Sequence, residues 1–333
     1  MSVIAVLNAG GWGTALSVLL ARAGHQVWLW ARRPELAAAI TITRENAAYL
    51  PGVRLPEQVS STADLDAAMA GCDVAVLAPI SAGMRTLAKR LAPLLPSDAL
   101  VVHGTKGLEL PTLLRMSQVL EAELGAGQAG RVAALSGPTH AEEVGRGVPT
   151  AAVVAAADPS VAQALQAALN GPSFRVYTNR DLVGVELCAS LKNVVALAAG
   201  MSDGIGGGDN AKAALLTRSL AELGRLVVAA GGQAETVAGL AGIGDLVATC
   251  TSRHSRNRRA GEQIGRGQTL DEILRDSRQV VEGAPATRAA LALAERWGVR
   301  MPIVEQVYAV LFEGRSPLQA LDELMARDPT GER

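Results

Sequence analysis

The stretch that most constrains this chain is its first two dozen residues. Val3 to Leu7 is a short apolar run, Asn8-Ala9-Gly10-Gly11-Trp12-Gly13 follows, and Thr14 to Ala23 reads as a helix. An apolar strand, a glycine-rich turn and a helix open a dinucleotide-binding βαβ unit. The glycines Gly10, Gly11 and Gly13 let backbone approach a pyrophosphate, and a helix beginning near Gly11 aims its free N–H groups at that anion. Asn8 stands where the fingerprint has its first glycine; asparagine tolerates left-handed backbone angles, so the turn still forms. An ordinary strand–helix turn of another α/β protein is the alternative.

Strand and helix signals alternate from there. Gln26–Trp30 is a second strand, ending in Ala31-Arg32-Arg33 where NAD-binding units usually carry an acid. Arginines at that place suit a 2′-phosphate, so Arg32 and Arg33 favour NADP(H), with NAD(H) possible; two solvated arginines before the helix near Pro34 are the bland alternative. Asp73–Ala78 and Ala99–His103 read as strands, Ser81–Leu95 and Pro111–Leu124 as helices. Val132–Leu135, Thr150–Ala156 and Phe174–Tyr177 are the last strand candidates. The expected fold is α/β: a Rossmann-type, doubly wound, mostly parallel sheet over residues 1–178. Lys106 and the turn Ser136–Ala141 follow strands, so both face the cofactor crevice. From 179 to 333 no strand pattern remains, and Leu182–Met201, Ala211–Ala230, Gly283–Trp297, Pro302–Phe312 and Pro317–Arg327 read as the helices of an all-α domain.

Composition narrows the function. With 49% hydrophobic and 19% charged residues, a chain of 333 residues buries a large core and is not disordered. A net charge of −1 argues against nucleic acid and anionic membranes as partners. No leader precedes Val3 and no apolar run approaches a membrane span, so a cytoplasmic protein is expected. Cys72, Cys188 and Cys250 suit buried thiols in a reducing compartment; no metal site is expected. Of 31 basic residues only Lys89, Lys106, Lys192 and Lys212 are lysine. Arginine serves poorly as an acid or base, so lysine in this background is a functional candidate.

Lys192 lies on the apolar helix Leu182–Met201 with Glu186 and Asn193. A buried ammonium needs a partner, and buried lysines are common acid–base groups; a purely structural ion pair is the alternative. Asp245, after Gly242-Ile243-Gly244, supplies a carboxylate that orients a lysine or caps a helix. Thr251-Ser252-Arg253-His254-Ser255-Arg256-Asn257-Arg258-Arg259, with four arginines and no acid, suits a phosphate; a solvated basic helix or a nucleic-acid patch is the alternative, the second opposed by the neutral chain and the lack of interleaved aromatics.

Taken in order, these stretches resemble the bacterial NAD(P)-dependent glycerol-3-phosphate dehydrogenases over nearly the whole chain. The likeness runs through Ala9–Leu16, Gly104–Glu109, Ser136–Ala141, Glu186-Leu187 with Leu191-Lys192-Asn193, Gly208–Leu215, Gly239–Gly242 with Gly244–Leu246, Ser255–Arg259 and Val280–Gly283. It implies reversible hydride transfer between NAD(P)H and dihydroxyacetone phosphate, supplying glycerol 3-phosphate for phospholipids, by an enzyme expected to be a homodimer. It implies cofactor contacts from Gly11, Trp12, Arg32, Lys106, Ala141, Arg256, Val280 and Glu282. It implies substrate contacts from Lys106, Gly137, Thr139, Lys192, Asp245, Ser255, Arg256 and Asn257, with Lys192 as the acid–base residue. Asn8 and the Cys188-Ala189 pair depart from the family pattern. A reductase of non-phosphorylated hydroxy acids and a non-catalytic cofactor sensor are the rival classes; the Ser255–Arg259 cluster opposes the first, and Lys106, Lys192 and Asp245 together oppose the second.

Overall fold

The computed structural model describes residues 1–128, 130–276 and 281–328. The chain divides into two compact units, Met1–Glu186 and Leu187–Arg333.

The first unit is built on eight strands: β1 (Val3–Leu7), β2 (Gln26–Trp30), β3 (Val59–Thr62), β4 (Val74–Leu77), β5 (Leu100–His103), β6 (Val132–Ser136), β7 (Thr150–Ala156) and β8 (Phe174–Asn179). Their order across the sheet is β3-β2-β1-β4-β5-β6-β7-β8. All neighbours are parallel except β6 and β7. The order in which strands are added reverses at β1 and β4, β2 and β3 lying to one side and β5 onward to the other, which is where sheets of this kind take ligands. Alternation within strands explains the two layers of helix. Ile4 and Val6 of β1 enter one apolar cluster with Leu16 and Leu20 of the helix Gly11–Arg22. Ala5 and Leu7 enter another with Met84, Leu87 and Met116 on the opposite face. Parallel strands buried on both faces are apolar throughout, as Val74–Leu77 is.

Three sequence expectations change here. The helix expected from Pro111 begins at Met116, because residues 109–114 close a turn of their own: the Leu113 N–H donates to the Glu109 carbonyl (2.7 Å), and Leu113 has φ +62°. The expected helix Ser81–Leu95 is a single turn, Ser81–Gly83, followed by Met84–Leu91. β3 and the Asp64-capped helix Leu65–Met69 were not anticipated; Val-Ser-Ser-Thr is too polar to announce a strand.

In the second unit, every regular element among the described residues is helical. The helix Leu182–Gly204 opens it, its first residues belonging to the sheet unit. By length and composition this helix would cross a membrane, contrary to the expectation that no apolar run does so; but 94% of its apolar window is buried in the protein, which makes it a core helix. The helix Gly208–Ala229 carries Glu222, whose carboxylate accepts the Ile303 N–H (3.0 Å) at the start of the helix Pro302–Phe312. All three cysteines are buried.

Burial pushes the Glu222 carboxyl up to about 7, above the ordinary 4.5. A carboxyl raised on folding contributes stability that is complete below its unfolded pKa and lost as pH rises through the folded one. Urea unfolding should therefore show Glu222→Gln gaining on the unaltered protein by roughly 2–3 kcal/mol between about pH 4.5 and about pH 8. A stability difference that does not change with pH would contradict the assignment.

Candidate active site

The turn after β1 carries the first group of candidate residues. Asn8 has φ +101°, and its amide donates to the Ala78 carbonyl after β4 (3.0 Å), so it ties together the two strands at which the sheet reverses. The helix Gly11–Arg22 starts directly behind it. A Cβ at Gly13 would overlap the Asn8 carbonyl, and one at Gly11 would lie 2.9 Å from the Tyr49 carbonyl, so neither position admits a side chain without movement. Two residues that sequence reasoning missed complete the turn. Asn46 donates to the Ala9 carbonyl (2.9 Å) and to the Thr14 hydroxyl (2.8 Å), and Tyr49 accepts a hydrogen bond from Arg33 (3.1 Å). Both lie on a loop with no periodic signal. Arg32 and Arg33 occupy the exposed bend between β2 and the helix Pro34–Thr43, and the Arg33 guanidinium stands 5.8 Å from the Tyr49 ring centre.

These residues fit a dinucleotide. Small backbone at Gly10, Gly11 and Gly13 and the open helix end cradle an anion. The Trp12 indole lies against Gly104, and its buried Nε1–H has no partner among the described residues. Ala141 opens the helix Ala141–Arg146, 3.8 Å from where a Cβ of Gly11 would stand.

Lys106 follows β5. Its ammonium donates to the Gly137 carbonyl (3.1 Å) and to the Thr139 hydroxyl (3.3 Å) in the turn after β6. Gly137 has φ +123°, and a side chain there would press on Ala152 of β7. Neighbouring parallel strands thus bring Lys106, Gly137 and Thr139 together.

The helical unit holds the second set. Lys192 and Asp245 are 4% and 2% exposed, and the ammonium donates to the Asp245 carboxylate directly. Thr249 accepts from Lys192 (2.8 Å) and donates to the same Asp245 oxygen (3.2 Å). Asp245 is the first residue of the helix Asp245–Thr251, with Gly244 at the cap position. Thr249 was missed, although four residues after Asp245 is one turn along the same helix face.

Beside this trio lies a close helix pair. Ser255 caps the helix Arg256–Gly265 by accepting the Arg258 N–H (3.2 Å). Asn257 donates to Asn193 (3.0 Å) and accepts from Gly283 (2.9 Å), at the start of the helix Gly283–Trp297. Contacts between helices 182–204 and 256–265 recur with a constant offset of 64: Asn193 with Asn257, Leu197 with Gly261, Met201 with Gly265. Rising numbers pair with rising numbers, so the helices run in the same direction. A Cβ at Gly261 would overlap the Leu197 carbonyl, and one at Gly265 would lie 2.5 Å from that of Met201. Lys192 and Arg256 each stand one residue before the bonded asparagines, so the seam fixes their level. Arg256 is exposed at the first helical position. Arg258, by contrast, is committed to Asp203 (2.8 Å), so not every arginine of the cluster is open to a ligand. Glu282 precedes the helix Gly283–Trp297; Val280 lies outside the described residues.

This chain matches the profile of the NAD-dependent glycerol-3-phosphate dehydrogenase N-terminus over residues 3–162 and that of the C-terminus over residues 181–322. It is 54% identical to the glycerol-3-phosphate dehydrogenase [NAD(P)+] of Moorella thermoacetica, covering 99% of this chain and 97% of that one. The belonging is plain. This chain is a member of the NAD-dependent glycerol-3-phosphate dehydrogenase family. The enzyme of the same name from Pelotomaculum thermopropionicum is 51% identical over 99% of this chain and 94% of its own. The crystal structure of glycerol-3-phosphate dehydrogenase from Coxiella burnetii superposes with a TM-score of 0.92 at 40% identity, covering 98% of this chain and 99% of that one. The sheet-end groups around Lys106 fall within the family's N-terminal region, and the trio and the glycine seam within its C-terminal region.

The seam makes opposite predictions for two helical glycines. Gly224 has open space where a Cβ would stand, so Gly224→Ala should stabilise the protein by about 0.5–1 kcal/mol through helix propensity. Gly261→Ala should instead cost about 3 kcal/mol or more, because the added methyl meets backbone. Denaturant unfolding of both variants reads the difference; equal effects would mean the helices are not in backbone contact.

Proposed function

We propose that this protein catalyses reversible hydride transfer between NAD(P)H and dihydroxyacetone phosphate, forming sn-glycerol 3-phosphate for phospholipid synthesis. The observation that carries this reading is the buried Lys192–Asp245–Thr249 trio on the unit that also holds the capped helix end at Ser255 and Arg256. A bound nicotinamide supplies the hydride. Gly10, Gly11, Trp12 and Gly13 would hold its pyrophosphate side, with Ala141, Lys106, Arg256, Val280 and Glu282 as further contacts. Lys192 donates a proton to the ketone oxygen as carbon is reduced and takes it back in the reverse direction. Asp245 balances the ammonium and fixes its direction, and Thr249 bonds to both. Lys106, steadied by Gly137 and Thr139, adds positive charge where the alkoxide develops. The helix end at Ser255, with Arg256 and the remaining amide hydrogen of Asn257, binds the phosphate and so orients the carbonyl.

Arg32 and Arg33, in a bend with no acid beside them, support a preference for NADP(H) over NAD(H). We assign the turn for the cofactor's pyrophosphate to residues 1–178 and the Lys192–Asp245 acid–base machinery to residues 179–333. Three buried cysteines agree with a cytoplasmic setting, and a homodimer rests on the family resemblance alone.

Lys192→Met should lower turnover of dihydroxyacetone phosphate by at least about a hundredfold, the low end for a lost general acid, while NADPH binding by calorimetry stays nearly unchanged. Near-normal turnover in that variant would rule out the acid–base assignment. Equal rates with NADPH and NADH in the unaltered protein would rule out the cofactor preference.

A further inference from the structure

Glu186 is a buried carboxylate of the sheet unit that the chemistry above leaves without a task. Its side chain is 3% exposed and accepts hydrogen bonds from His103 Nε2 (3.1 Å), Arg115 Nη1 (2.5 Å), the Ser117 N–H (2.7 Å) and the Ser117 hydroxyl (2.5 Å). Burial works against its charge, yet the bond from His103 and the nearby Arg115 and Ser117 hold the carboxyl below its ordinary range. An ionised carboxylate only accepts, so all four groups donate to it.

The donors come from two places with one loop between them. His103 is the last residue of β5, directly before Gly104-Thr105-Lys106-Gly107. Arg115 is the cap of the helix Met116–Leu124, and Ser117 lies in its first turn. Residues 104–114 are therefore a closed loop whose entry and exit are bound to the same carboxylate. The loop is braced further: Glu109 accepts from the Thr112 hydroxyl within the loop (2.6 Å) and from Arg85 of the helix Met84–Leu91 (2.6 and 2.7 Å). Gly104 lies against the Trp12 indole, so the loop has little room to shift without moving that ring.

We propose that Glu186 is a positioning residue for Lys106: its carboxylate clamps both ends of the loop that carries this lysine, and thereby sets where the ammonium stands. This rests on the reading in which Lys106 acts on the substrate. In Glu186→Gln one oxygen remains as an acceptor while the other position becomes an N–H donor set against donors, so the charge-assisted bonds weaken and the hold on the two ends of the loop loosens. Lys106 then samples positions away from Gly137 and Thr139, and its contribution to turnover falls.

Hydrogen exchange followed by mass spectrometry on full-length Glu186→Gln reads the clamp without reference to activity. Amides of residues 104–114 should exchange faster by at least about tenfold, with no change in the helix Arg256–Gly265. Kinetics read the coupling: Glu186→Gln should lower kcat/KM for dihydroxyacetone phosphate by about tenfold or more in the unaltered chain, and by less than about twofold in a Lys106→Met background. Should Glu186→Gln not fold, Ser117→Ala removes a single donor and should give the same pattern at smaller amplitude. Unchanged exchange over 104–114, exchange raised equally throughout the chain, or equal kinetic losses in both backgrounds would each overturn the proposal. If the unaltered protein does not turn over dihydroxyacetone phosphate at all, the functional reading fails, and the exchange pattern still decides whether Glu186 clamps the loop.

Discussion

A buried ammonium is the constraint to which the helical unit answers. Lys192 sits on a helix that is apolar on nearly every face, where an unpaired charge would be costly. Asp245 supplies the opposite charge from a helix that begins 53 residues later in the chain, and Thr249 bonds to both partners. Removing one member of such a pair leaves the other buried and uncompensated, a loss of about 3–5 kcal/mol, whereas replacing the pair by apolar residues is often neutral. The pair is therefore better explained by chemistry than by stability. Under the proposed function, the buried pair keeps a proton donor in a fixed direction for ketone reduction.

The same helix fixes the level of the helix end proposed to hold the phosphate. Gly261 and Gly265 bring helix 256–265 into backbone contact with helix 182–204, and the hydrogen bond from Asn257 to Asn193 sets the register at the functional end. Any larger residue in the seam would spread the helices and change the spacing between Lys192 and the helix end capped by Ser255. The sheet unit solves an equivalent problem with strand ends: parallel pairing of β5 and β6 brings Lys106 to the Gly137–Thr139 turn, and Asn8 joins the ends of β1 and β4.

Local features were the legible ones. The β1–turn–helix opening follows from residues adjacent in sequence, and the left-handed angle expected of Asn8 is present. Lys192 stood out because lysine is rare in this chain and because its helix is apolar. What escaped depends on distant partners. Arg258 read as part of a phosphate-binding cluster, but Asp203, 55 residues earlier, takes its guanidinium. Glu186 was visible as an acid on an apolar helix, yet its four donors come from two segments some 70 to 80 residues away. The four-residue spacing of Gly200 with Gly204 and of Gly261 with Gly265 was present in the sequence, but only their contact shows that the two pairs face one another. β3 was lost to its serines and threonine, and the turn at residues 109–114 to the helical composition that surrounds it.

The central claim is that a proton donor and a phosphate-binding helix end, held at matched levels by two packed helices, act together on one phosphorylated ketone. The most direct measurement compares NADPH oxidation by the unaltered protein with dihydroxyacetone phosphate and with dihydroxyacetone. A charge-assisted phosphate contact of roughly 1.5–3 kcal/mol predicts kcat/KM at least about tenfold higher for the phosphorylated ketone. Equal values for the two ketones, or no oxidation with either, would contradict the account.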